Sequence, residues 1–232
     1  MNDPGAGRRG DVPVDTRPDV SCSFDLAHYR QLLQGARAGG YRFAPFGDGP
    51  ERGDLFLRHD VDLSLAAALR MAEVEADLEA EATYFLMTES VFYNLASVEG
   101  AAAIRRLREL GHRIGLHAVY PSSRPDDRFD AVVAWHNPDP DYMTAPIADA
   151  INVMAERYFD PATYRSDSNQ RWRHGCPHEE LQAGAFPWLQ LLVHPEIWVY
   201  EGETMGQTMR SMLDEEKERR LALLAEDRID LT

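Results

Sequence analysis

The stretch Leu55-Phe56-Leu57-Arg58-His59-Asp60-Val61-Asp62 concentrates reactive side chains in the chain. A short apolar run of strand-forming residues ends in His-Asp-x-Asp. Ser64 then opens a helical pattern with Leu65, Ala68, Leu69, Ala72 and Ala76 on one face. In parallel α/β folds, ligands and catalytic groups collect at the C-terminal strand ends. Asp60 and Asp62 alternate with Val61, so an extended backbone turns both carboxylates the same way. They would then be close enough to share a cation or to divide acid and base roles. The plainer reading of that spacing is a strand end with a helix-capping aspartate.

Other strand-like runs end in comparable groups. Arg113-Ile114-Gly115-Leu116 leads into His117, Phe129 to Trp135 stops at His136, and Tyr164 to Ser168 holds Arg165 and Asp167. Leu189 to Val193 ends at His194. Two imidazoles and one carboxylate suit Zn²⁺ first, with Fe²⁺, Mn²⁺ or Co²⁺ as alternatives, and leave positions open for water and substrate. A second carboxylate can take a proton from water, and a further histidine can protonate a leaving group.

Helices must carry the chain between these ends. Asp25 to Ala38 reads as an amphipathic helix stopped by Gly39-Gly40, followed by a short strand within Tyr41 to Phe46. Ala82 to Met87 reads as a strand reached through a connection of helical length, hence a parallel β-α-β unit. Ser97 caps the next helix, with Ile104, Leu107 and Leu110 on its apolar face and Gly111 at its stop. Pro121 to Arg128 is too short for a crossover helix. Either a helix has been lost before Phe129, or that strand runs antiparallel or adds at an edge. Ile147, Ile151, Met154, Ala155 and Tyr158 predict a helix. In the polar tail from Glu203 to Asp227, Met205, Met209, Met212, Leu213, Leu221 and Leu224 form a sticky side, read as a packing helix or a homodimer contact.

The 232 residues carry 24 Lys and Arg against 39 Asp and Glu, a net charge of −15, which argues against nucleic acid as a partner. Cys22 and Cys176 read as free thiols of a reducing compartment, and neither belongs to a Cys-x-x-Cys pair. Met1 to Pro18 lacks the apolar core of a signal peptide, and no window of 18 apolar residues suggests a membrane span. The expectation is a cytoplasmic protein: a disordered segment over residues 1–19, one domain over 20–202 and a C-terminal helix over 203–232.

The order His-Asp-Val-Asp, helix, Ala-Thr-Tyr-Phe-Leu, helix, Glu-Leu-Gly-His-Arg-Ile-Gly-Leu-His resembles the polysaccharide deacetylase family (carbohydrate esterase family four) over roughly Leu55 to Trp198. The resemblance implies an irregular (β/α) barrel, here shortened and followed by the C-terminal helix. It also implies a metal-dependent hydrolase that removes an acyl group from an amide nitrogen. By that likeness Asp60 is the catalytic base, Asp62 and His117 are metal ligands, and His194 is the general acid. Two features depart from the family. Its second histidine ligand lies four residues after the first, where this chain has Pro121, so His136 is expected to replace it from the neighbouring strand end. The Arg-x-Pro segment that steadies the base is also missing; Arg165 or Asp167 is the expected substitute, with a surface position as the other reading of Arg165.

A saccharide or small biosynthetic amide is the implied substrate, with an ester or formyl amide as another possible bond. A catalytically inactive binding or scaffold module is the alternative from a different class, favoured by Pro121 and the short 121–128 connection. His59 is expected to point away from the site, and His112 to lie at the surface. His174-x-Cys176-x-His178 reads as an ordinary loop around Gly-Cys-Pro more readily than as a metal site. Trp172, Trp188 and Trp198 read as core residues more readily than as a sugar-stacking platform.

Overall fold

Three side-chain caps set the helical frame. Asp25 accepts from the His28 amide at the start of α1 (Leu26–Ala38), after which the short β1 (Arg42–Phe43) leads to β2 (Asp54–Val61). Ser64 accepts from the Ala67 amide ahead of α2 (Leu65–Asp77), and β3 (Thr83–Leu86) follows. Ser97 accepts from the Gly100 amide ahead of α3 (Val98–Glu109), which runs into β4 (Arg113–Ala118). Each cap satisfies an amide that the first helical turn leaves unpaired. The later elements are β5 (Val132–Trp135), α4 (Pro140–Met143), β6 (Ile151–Asn152), β7 (Tyr164–Ser166), α5 (His178–Gln182), β8 (Leu189–Val193), α6 (Pro195–Val199) and α7 (Met205–Glu226). This computed structural model describes residues 22–226, so the expected disordered segment over residues 1–19 lies outside the described residues.

All strand pairs are parallel, in the order β6-β5-β4-β3-β2-β8-β7, with β1 beside the start of β2. Two-residue alternation divides the sheet. Leu55, Leu57, Val61, Tyr84, Leu86, Ile114, Leu116, Val133, Leu191 and Val193 join the larger core with the helices, whereas Phe56, Phe85, Val132 and Ala134 pack with Phe46, Val153 and Tyr158 on the other face. That second face is concave. Gln190 Nε2, in β8, donates to Val153 O at 3.0 Å and to Tyr158 O at 2.8 Å, just beyond β6. Five strand steps separate β6 from β8 in the sheet order. In a flat sheet that is about 24 Å at ~4.8 Å per step, far beyond a glutamine side chain. The sheet therefore curls into a half-barrel. Among the described residues β6 and β7 end the strand order, and no pairing closes it.

Gly115 makes the tight floor possible. A Cβ there would fall 2.4 Å from the Phe85 ring and 2.9 Å from Val132.

Three expectations are corrected or decided. β5 is parallel to β4 and reached through a helix-free loop, so the helix of that unit is lost, and Phe129 to Ala131 lie outside the strand. The helix expected through Ile147 to Tyr158 does not form. Instead Asn152 Nδ2 donates to Met143 O and Ala145 O, its Oδ1 accepts from the Met154 amide, and sheet pairing takes Ile151. The apolar spacing there reflects one side chain in the strand and others packed from turns. His112 is buried rather than exposed, because Gly111 at φ +91° turns the chain inward. Its Nε2 lies 3.1 Å from Ala72 O, and its Nδ1 accepts from the Ala82 amide.

In α7, Thr208 and Met212 are buried, with Met205 and Met209 packed against the core, while Leu213 and Leu224 of the expected sticky side are exposed. Trp172 and Trp198 are core residues, and Trp188 meets the Phe56 ring edge-on. No helix among the described residues is long and apolar enough to cross a membrane.

Candidate metal centre

Strand register brings the polar ends to one rim. Asp60 pairs with Phe85, His117 with Ala134, and His59 with Val193, so Asp62, His136 and His194 emerge beside one another from β2, β5 and β8. Asp62 Oδ1 lies 3.0 Å from His117 Nε2 and 3.3 Å from His136 Nδ1, and the two ring nitrogens are 3.2 Å apart. His136 thus converges with Asp62 and His117, as the sequence had suggested.

These residues fit a divalent cation. His117 Nδ1 donates to Ala134 O at 3.1 Å, so a neutral ring turns its Nε2 lone pair towards Asp62 and His136. Asp62 Oδ1 is buried and has no hydrogen bond among the described residues. A carboxylate oxygen and an imidazole lone pair facing each other repel unless a cation or proton lies between them. A tetrahedral zinc with ligand bonds near 2.0–2.1 Å would space such atoms by about 3.3 Å, close to the separations seen. Burial would push the Asp62 carboxyl up, but His117 and His136 outweigh it and hold the group far below the usual carboxylate range. The adjacent Asp62 carboxylate likewise raises His136.

Asp60 Oδ2 lies 3.7 Å from His117 Nε2, but both Asp60 oxygens are engaged by Arg58. Arg58 Nε donates to Asp60 Oδ1 at 2.8 Å and Nη2 to Oδ2 at 2.7 Å, a bidentate pair buried on the concave face. Burial favours the protonated acid, yet the guanidinium prevails and keeps the Asp60 carboxyl below its ordinary value. Arg58 stands two residues before Asp60, and the alternation that pairs Asp60 with Asp62 also places it on this face. That signal was present in the sequence.

Arg165 does not take the steadying role expected of it. Its guanidinium donates to Pro161 O and Tyr164 O, reaches Glu180 and covers the Phe186 ring. Strand alternation turns its side chain to the face opposite Tyr164 and Ser166, although all three residues border the cleft. Asp167 holds the histidine rather than the base. It is fully buried and accepts from the His194 amide, from His194 Nδ1 at 2.6 Å and from Trp198 Nε1 at 2.7 Å. Burial would strip the His194 proton, but the Asp167 carboxylate outweighs it and lifts the ring to about 10.

His59 faces the opposite side of β2. It meets Glu75 at 2.5 Å in a buried cluster, where Tyr29 and Tyr84 also donate to Glu75. Glu196 was not anticipated. It is buried in the first turn of α6, its Oε2 has no hydrogen bond among the described residues, and burial pushes its carboxyl up to about 8. Nothing in the local sequence marks it apart from an ordinary helix-start acid.

A cleft of about 490 Å³ opens over Arg58, Asp60, Asp62, His117, His136 and His194. A second, of about 450 Å³, shares Asp62, His136 and His194 and adds Glu196. A groove of about 730 Å³ between α2, the 91–94 loop and α7 is larger but holds none of these residues. No protein-family model matches the chain, and comparisons with curated proteins and with solved structures found no match.

Proposed function

We propose that the chain is a metal-dependent hydrolase of a non-peptide carbon–nitrogen amide bond, removing an acyl group from an amino sugar or a small biosynthetic amide. The observation that carries this reading is the convergence of Asp62, His117 and His136 within 3.0–3.3 Å of one another. The likeness of the His-Asp-Val-Asp and Glu-Leu-Gly-His-Arg-Ile-Gly-Leu-His segments to polysaccharide deacetylases supports it, and so does a curled, all-parallel half-barrel sheet that gathers these residues at one rim.

When bound, the cation supplies Lewis acidity, polarising the acyl carbonyl and lowering the pKa of water from ~15.7 towards ~7. Asp60, kept ionised by Arg58, accepts the proton of the attacking water. His194 gives its proton to the departing amine nitrogen, and Asp167 keeps the ring oriented and charged for that step. The carboxylic acid and the amine then leave through the open cleft.

The test is release of carboxylate from a panel of N-acetyl amino sugars and N-acyl amines by the zinc-loaded protein. Asp60→Asn should retain zinc while lowering turnover by about 10²–10⁴-fold, the usual contribution of a positioned base. Full turnover in Asp60→Asn would remove Asp60 from the role of base. A zinc-loaded wild type inert across the panel would favour the scaffold alternative.

A further inference from the structure

A second group of soft ligands lies on the helical side of the sheet, apart from the cleft. Cys22, His28 and Cys176 place one sulfur, one ring nitrogen and one further sulfur all within 4.8 Å of one another. They come from the segment before α1, from α1 itself and from the Gly-Cys-Pro turn before α5. That separation in sequence is why the His174-x-Cys176-x-His178 run looked like an ordinary loop.

The surroundings match those of a thiolate metal centre. His28 Nδ1 lies 3.4 Å from the acceptor Gln31 Oε1, so a neutral ring with its proton there turns the Nε2 lone pair towards Cys176 Sγ at 3.2 Å. Tetrahedral zinc, with Zn–S near 2.3 Å and Zn–N near 2.0–2.1 Å, would hold a sulfur and a nitrogen about 3.5 Å apart. Trp172 Nε1 donates to Cys22 Sγ at 3.2 Å, a contact that favours a charged sulfur. Phe24, Trp172 and Trp198 pack around the group, and Trp198 stacks on the His28 ring. His178 stands beside His28 with ring centroids 5.5 Å apart.

We propose that Cys22, His28 and Cys176 bind a zinc-class divalent cation as a structural centre, its fourth position taken by water or His178. The thiol protons leave to solvent as the cation binds, and no electron is transferred. The centre ties the segment before α1 to the turn before α5. Trp198, which stacks on one of its ligands, also donates to Asp167, so the centre braces the wall behind His194. The proposal does not depend on the hydrolase reading.

Cobalt(II) titration of the full chain under reductant tests it, because thiolate ligation gives a sulfur-to-cobalt charge-transfer band that a nitrogen and oxygen site lacks. His117→Ala, which disables the other cluster, should still take up about one equivalent with that band. Adding Cys176→Ser to that variant should abolish the band. Zinc should slow alkylation of Cys22 and Cys176 in the wild type by about tenfold or more, a readout that needs no substitution. Absence of the band from both wild type and His117→Ala, its persistence after Cys176→Ser, or alkylation at an unchanged rate in saturating zinc would each overturn the assignment.

Discussion

Asp167 acts on the proposed reaction through His194, and its effect has a sign. A histidine lifted to about 10 stays protonated through neutral pH and loses its proton as pH rises through that value. Turnover that needs this proton should fall on the same alkaline limb. Asp167→Asn removes the carboxylate that outweighs burial, so the limb of kcat/KM against pH should move to lower pH by about one unit or more. A variant that merely loosened the structure would lower the rate without moving the limb. An unmoved limb would therefore assign the acid step to another group. The Arg58–Asp60 pair works in the opposite direction, keeping a buried carboxyl ionised beside the candidate cation site. Two charge pairs thus set two neighbouring groups to opposite protonation states, as division of base and acid roles requires.

At the scale of elements, the rim depends on how closely β3, β4 and β5 approach. Gly115→Ala would drive a Cβ into the Phe85 ring and Val132, and the buried floor has little room to yield. The expected cost is about 1–3 kcal/mol, read by urea denaturation, with weaker metal retention as His117 shifts. A variant as stable as the wild type would mean that the Phe85 ring gives way freely.

How far the sequence disclosed these elements follows from what stabilises each one. Side-chain caps at Asp25, Ser64 and Ser97 are local signals, and the helices start there. Leu189 to Val193 is a strand over its expected length because an apolar run between turns has few other uses. The helix expected through Ile147 to Tyr158 was not legible as a strand and turns. What decides it is distant: hydrogen bonds from Asn152 to Met143 and Ala145, and from Gln190 to Val153 and Tyr158. The site divides the same way. Strand-end histidines could be read one run at a time, whereas the turn of Arg165 towards Glu180 and the grip of Asp167 on His194 depend on which face of β7 and β8 meets the cleft.

The whole molecule is a curled sheet with its polar groups gathered at one rim and its helices on the convex side. Its charge of −15 disfavours phosphate backbones as ligands. Everything proposed for catalysis rests on a cation at Asp62, His117 and His136. The most direct measurement is zinc content by elemental analysis after reconstitution and desalting, with wild type beside Asp62→Ala and circular dichroism to verify folding. The wild type should hold about one equivalent more than the variant, whatever the sulfur cluster binds in both. Equal zinc in two folded proteins would contradict a metal site at this rim, and the hydrolase reading with it.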